Sequence, residues 1–197
     1  MTDKLEYFNL GARGQPIRLA YLLSSKLSYE DKRYEFSEWP TRKSSTPLGQ
    51  LPVLTVDGVE YTQSAALLRY VGGKAGAYPA PGSKDQLIVE DVMETMNEIW
   101  SNVPKTEQER KNDYLGGKVA KAVSHIEKIS SSSGPFVLGA DISVADLFIY
   151  GYVHFFGTGF WDHITAEDMA RFTFLDKICT AVKNHPKLKE YIAAGKC

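Results

Sequence analysis

The feature that most restricts the fold is a change of period at residues 78–82, where YPAPG makes a stiff, proline-rich connector. Beyond it, apolar residues recur only at helical spacing. Val89, Val92, Met96, Ile99 and Val103 fall on one helical face, and Leu115, Val119, Ala122, Ile126 and Ile129 on another. Phe172, Leu175, Cys179 and Val182 form a third stripe. Before the connector the signals are short strands and tight turns. Residues 5–8 (LEYF) read as a strand, and 15–25 (QPIRLAYLLSS) as a helix with Pro16 in its first turn. Residues 29–36 alternate polar and aromatic side chains as an edge strand does, and a polar loop follows over 37–50. Asp57-Gly58 is a type I′ turn signal joining two further strands. A helix over 64–71 then ends at Gly72-Gly73. The order βαβ-ββα is that of a small α/β domain. The chain therefore divides into an α/β domain over 1–74, a linker over 75–83 and an all-helical domain over 84–197.

Composition narrows the function. With 23 Lys+Arg against 24 Asp+Glu the net charge is −1, which argues against nucleic acid or an anionic membrane as partner. MTDKLEYFNL lacks a secretory apolar segment, and no apolar run approaches the ~18 residues of a membrane span. The stretch 147–156 (LFIYGYVHFF) suits a buried helix, and SSSSG at 130–134 suits a loop between helices. Two cysteines, Cys179 and Cys197, form no framework, so a reducing, cytoplasmic location is expected. In ISVADL, at 142–147, Ser143 can cap a helix while Asp146 returns a bond to the cap's N–H. That is folding chemistry and carries no catalytic role.

Fewer residues point to reaction chemistry. His125, His154, His163 and His185 lack metal-ligand spacing, so no metal site is expected. Gly11 and Gly14 do not make a phosphate loop. Pro52 biases Leu51 to an extended shape, which can offer β-type pairing to a peptide; an ordinary strand-start proline would read the same. Ser64 at a helix start can bind a carboxylate beside free N–H groups, or simply cap its own helix. Tyr7 stands at the end of the first strand, where ligands of α/β domains lie, and its phenol can donate one strong hydrogen bond.

Five stretches in order carry a resemblance to a known family: KLEYFNLGARGQPIR, SEWPTRK, LGQLPVL, QSAALLRY and ISVADL. The chain resembles the soluble glutathione S-transferases, within them the sigma class, which includes glutathione-dependent prostaglandin D synthases. The resemblance implies a thioredoxin-like domain plus a helical domain, paired as a homodimer, with glutathione as cosubstrate and no metal. It assigns Tyr7 as the catalytic tyrosine and Arg13 as a thiol-side arginine. Trp39 and Lys43 would hold the glycine end of glutathione, Gln50, Leu51 and Pro52 its backbone at a cis-proline turn, and Gln63 and Ser64 the γ-glutamyl carboxylate. Glu98, in the pair Asn97-Glu98, would reach the ligand of the partner subunit. Phe8, Leu10, Trp100, Tyr152 and Phe156 would line the electrophile pocket.

The sequence also departs from that class. Its turn reads GARGQ, where sigma relatives commonly have Arg-Gly-Arg-Ala-Glu, so one arginine and the acidic residue are replaced. Lys105 stands where the prostaglandin synthases carry tryptophan. Conjugation of glutathione to hydrophobic electrophiles in detoxification is therefore the leading expectation. Prostaglandin isomerisation, a non-catalytic carrier of hydrophobic ligands and a structural protein are the alternatives.

Overall fold

In the computed structural model, which describes residues 2–161 and 163–196, the alternation DKLEYF forms strand β1 (Asp3–Phe8) at the centre of a four-stranded sheet. The strand order is β2-β1-β3-β4. β2 (Tyr29–Tyr34) runs parallel to β1 and pairs Arg33 with Tyr7. β3 (Val53–Val56) runs antiparallel to β1, and β4 (Val59–Tyr61) returns along β3. Asp57 and Gly58 have φ of 49° and 81°, so the tight turn read from Asp-Gly is present.

Helix α1 (Gln15–Leu22) crosses from β1 to β2 after a 3₁₀ turn at Ala12–Gly14. Its buried residues include Ile17, Leu19, Ala20 and Tyr21, and also the charged Arg18. The polar stretch after β2, expected to be loop, contains the short helix α2 (Trp39–Lys43), with Pro40 in the first turn where its missing N–H costs nothing. Arg42 fastens α2 to the sheet through Glu6 at 2.9 Å and Glu60 at 2.6 Å.

Helix α3 (Ser64–Ala75) differs from the expectation in its end point. Gly72-Gly73 does not stop it; Gly76, left-handed at φ 76°, does. Gly72 serves close packing instead, because a Cβ built there would lie 2.1 Å from Val144 Cγ1.

Beyond the connector the described residues form helices. They are α4 (Lys84–Ser101), a π-helical segment at Glu109–Val119 running into α5 (Ala120–Ile129), α6 (Val144–Phe156), α7 (Ala166–Ala170), α8 (Thr173–Asn184) and α9 (Lys189–Ala193). The three apolar stripes face inward, and α6 is buried along nearly its whole length. The capping box at Ser143 is present. The fully buried Asp146 carboxylate accepts the Ser143 N–H at 2.8 Å and hydroxyl at 2.7 Å, and the Val137 N–H at 2.7 Å.

One hydrophobic cluster runs through both halves, from Leu5, Ile17 and Leu68 to Val89, Phe148 and Val182. Cys179 belongs to it, and burial pushes its thiol up to about 12. Cys197 lies outside the described residues. Among the described residues no helix is long and apolar enough to cross a membrane.

Candidate active site

The end of β1 delivers Tyr7 into a small cluster with Ala12 and Phe155. The turn after the strand is held by Arg18. Its buried guanidinium donates to the carbonyls of Leu10 at 2.6 Å and Phe8 at 3.1 Å, and to Asp31 at 3.1 Å. Gly14 closes the turn over the Tyr7 ring, where a Cβ would lie 2.4 Å from Cδ1. Burial raises the Tyr7 phenol above its ordinary value, outweighing an N–H bond from the Arg13 backbone and the charges of Arg13 and Arg18. The phenol is therefore neutral at physiological pH and keeps its proton to donate.

Beside Tyr7 opens a groove of about 520 Å³ lined by Phe8, Arg13, Trp39, Gly49, Gln50, Leu51, Pro52, Thr62, Gln63, Ser64, Asn97 and Ser101. Seven of the residues named from the sequence for the thiol and the tripeptide, all but Tyr7, Lys43 and Glu98, meet there. The Leu51-Pro52 peptide bond is cis. Ser64 is the first residue of α3, preceded by Gln63 with φ 74° and ψ 96°, a conformation rare for a residue with a Cβ. Among the described residues no side chain caps this helix start, so its leading N–H groups are available to a bound carboxylate.

Trp39 stands edge-on to Phe8 at 5.6 Å between ring centres. Lys43 is exposed at the rim, its stem 3.8 Å from a Cβ built on Gly49. Glu98 lies outside the groove: its carboxylate is paired with Lys118 at 3.0 Å and its side chain is 68% exposed. Its neighbour Asn97 faces the groove instead.

The apolar side of the site is aromatic. Trp100 contacts Tyr152, Phe155, Phe156 and Trp161 with ring centres 4.5, 5.1, 5.3 and 6.3 Å away. Phe8, Leu10 and Trp100 pack around the Tyr7 cluster together with Leu51 and Trp161. Tyr152 and Phe156, expected to line the pocket, are instead fully buried behind Trp100, because both belong to the core face of α6. Phe155, also buried, is the α6 phenylalanine that borders a cavity of about 350 Å³, together with Leu10 and Phe160. Sequence reasoning missed Phe155, Trp161, Thr62 and Ser101. Phe155 is adjacent to Phe156, a rotation of one residue about the helix, and apolar composition alone does not set that rotation. Among the described residues no three His, Cys, Asp or Glu side chains come together as metal ligands.

Comparison with known proteins places this geometry in a family. Residues 4–73 match the model of the glutathione S-transferase N-terminal domain, and residues 90–195 that of the C-terminal domain. The chain is 29% identical to glutathione S-transferase 1 of Ascaris suum, with 96% of this chain and 95% of that protein covered. It is 30% identical to the hematopoietic prostaglandin D synthase of Gallus gallus over 74% of each. Among solved structures, prostaglandin synthase D of Nilaparvata lugens superposes with a TM-score of 0.80 at 30% identity, covering 98% of both chains. Domain models on both sides of the connector and relatives matched along nearly the full length agree: the chain belongs to the glutathione S-transferase family.

Proposed function

We propose that the protein is a glutathione transferase, in which Tyr7 and Arg13 hold the glutathione thiol as thiolate for attack on a hydrophobic electrophile. The supporting observation is a buried neutral phenol beside an arginine, packed in an apolar cluster next to a polar groove that Phe8 and Arg13 line. On this reading glutathione lies along the groove. Its glycine end sits at Trp39 and Lys43, its backbone beside Gln50, Leu51 and Pro52, and its γ-glutamyl carboxylate at Gln63, Ser64 and the start of α3. Phe8, Leu10, Trp100 and Phe155 form the wall of the electrophile site, with Tyr152 and Phe156 supporting it from behind.

A free thiol of pKa ~8.5 is only a few per cent ionised at neutral pH. Lowering that pKa by ~2 units requires about 2.7 kcal/mol of preferential stabilisation of the anion. An O–H donated by Tyr7 and the charge of Arg13 are suited to supply it. The thiolate then forms a carbon–sulfur bond, and the electrophile's leaving group departs with the electron pair. The raised pKa of the phenol fits it as a donor and not as a base.

The reading extends to a cytoplasmic detoxification enzyme working as a homodimer, with domains over 1–74 and 84–197 and a linker over 75–83. In such a dimer Glu98 would exchange Lys118 for the ammonium of the partner's glutathione. The chemistry calls for glutathione and no metal.

Replacing Tyr7 with Phe should lower turnover of an aryl halide by about 10²-fold, with glutathione affinity held within about twofold. The acid limb of the kcat/KM profile should move to higher pH in this variant. Unchanged turnover would remove Tyr7 from the mechanism. The prostaglandin D synthase relatives favour one narrower reading, isomerisation of a prostaglandin endoperoxide. Product analysis with that substrate separates it from conjugation.

A further inference from the structure

Arg13 differs from the other paired arginines of this chain in the company it keeps. Arg18 and Arg33 pair with Asp31, Arg42 with Glu6 and Glu60, and Arg69 with Glu90 and Glu94. Among the described residues Arg13 joins no ion pair. Its Nη1 donates to the Asn97 Oδ1 at 3.3 Å and to the Tyr152 hydroxyl at 3.4 Å. Its guanidinium carbon lies 5.7 Å from the centre of the Trp100 ring. All three partners are uncharged, and all three come from the helical domain, on α4 and α6.

We propose that Asn97 is a positioning residue for the thiolate: with Tyr152, it aims the Arg13 guanidinium at the sulfur site while leaving its charge unneutralised. This rests on the glutathione reading above. Either an amide or a carboxylate at position 97 can accept the Nη1–H. A carboxylate would form a charge-assisted pair and cancel much of the field that Arg13 projects toward a thiolate. The amide fixes direction without that cost. The surrounding ionisable groups leave this balance intact. Tyr7 is neutral and Arg18 on α1 adds positive charge. Tyr152 is held un-ionised by burial, Glu94 on α4 is bound to Arg69 at 2.7 Å, and Glu98 is bound to Lys118.

The test is the pKa of the bound thiol, read from thiolate ultraviolet absorbance of the enzyme–glutathione complex across pH. Asn97→Asp should raise it by about one unit, with a roughly tenfold fall in kcat/KM on the acid side. Affinity for S-methylglutathione, which has no ionisable sulfur, should fall far less. Asn97→Leu, which removes the acceptor and adds no charge, should raise the thiol pKa by less than Asn97→Asp does. Tyr152→Phe should act in the same direction as Asn97→Leu. A thiol pKa in Asn97→Asp equal to that of the parent protein overturns the proposal. Arg13→Ala separates the two levels. If it raises the thiol pKa and Asn97→Asp does not, only the role of Asn97 falls; if neither does, the assignment of Arg13 falls with it.

Discussion

Arg18 shows how a single buried charge can shape a site from within the core: its guanidinium carbon lies 5.7 Å from the centre of the Tyr7 ring. Its guanidinium is sealed from solvent, yet it answers two backbone carbonyls at the end of β1 and the Asp31 carboxylate on β2. Removing it strips the two carbonyls of this donor and leaves Asp31 with Arg33 alone. Arg18→Met should therefore destabilise the protein by about 3 kcal/mol, measured by urea unfolding, because a broken buried pair costs more than the pair itself contributes. Arg18→Lys should recover only part of that loss, since one ammonium does not match the fork of donors that reaches Phe8 and Leu10. Tyr7 could be singled out in the sequence from its place at a strand end. Arg18 was not, because within QPIRLAYL a lone arginine reads as the polar face of an amphipathic helix. Asn97 and Glu98 make the same point. Neighbours on a helix point about 100° apart, and which one meets the groove depends on how α4 is seated.

At the level of elements, glycine was read for the wrong property. Gly72-Gly73 looks like a stop signal, but the helix continues to Ala75, and Gly72 is instead where α6 packs closely against it. The two positions should separate cleanly. Gly72→Ala should cost about 1–3 kcal/mol, since Val144 is buried and must give way. Gly73→Ala meets nothing within 4 Å among the described residues and should gain about 0.5–1 kcal/mol from helix propensity. Thermal melting of the two variants would check both signs. Helix α2 escaped notice for a related reason: WPTRK has no apolar stripe, and Arg42 holds it in place through ion pairs to residues far off in sequence. The succession of strands and helices, the Asp-Gly turn and the capping box were readable because each depends on residues only a few positions apart.

For the whole molecule, the change of period at the connector correctly separated a mixed half from a helical half. It did not show that the halves share one core, since periodicity defines a face and not what covers it. α1 packs on α3 and on α6 alike, and the hydrophobic cluster passes through all three. Unfolding should therefore be a single transition. Tryptophan fluorescence, which samples Trp39 in one half and Trp100 and Trp161 in the other, should coincide with far-ultraviolet circular dichroism. Two resolved midpoints would contradict this.

A second tight point of that shared core lies where the start of α1 meets α6: a methyl group added to Gly151 would come within 2.6 Å of the Pro16 ring. Hybrids assembled from two relatives invite a cut at the connector, where the prolines make the boundary look natural. The join that must match is this notch instead. A donor half with a bulkier residue there would push the Arg13-bearing turn out of line and yield a folded but idle chimaera.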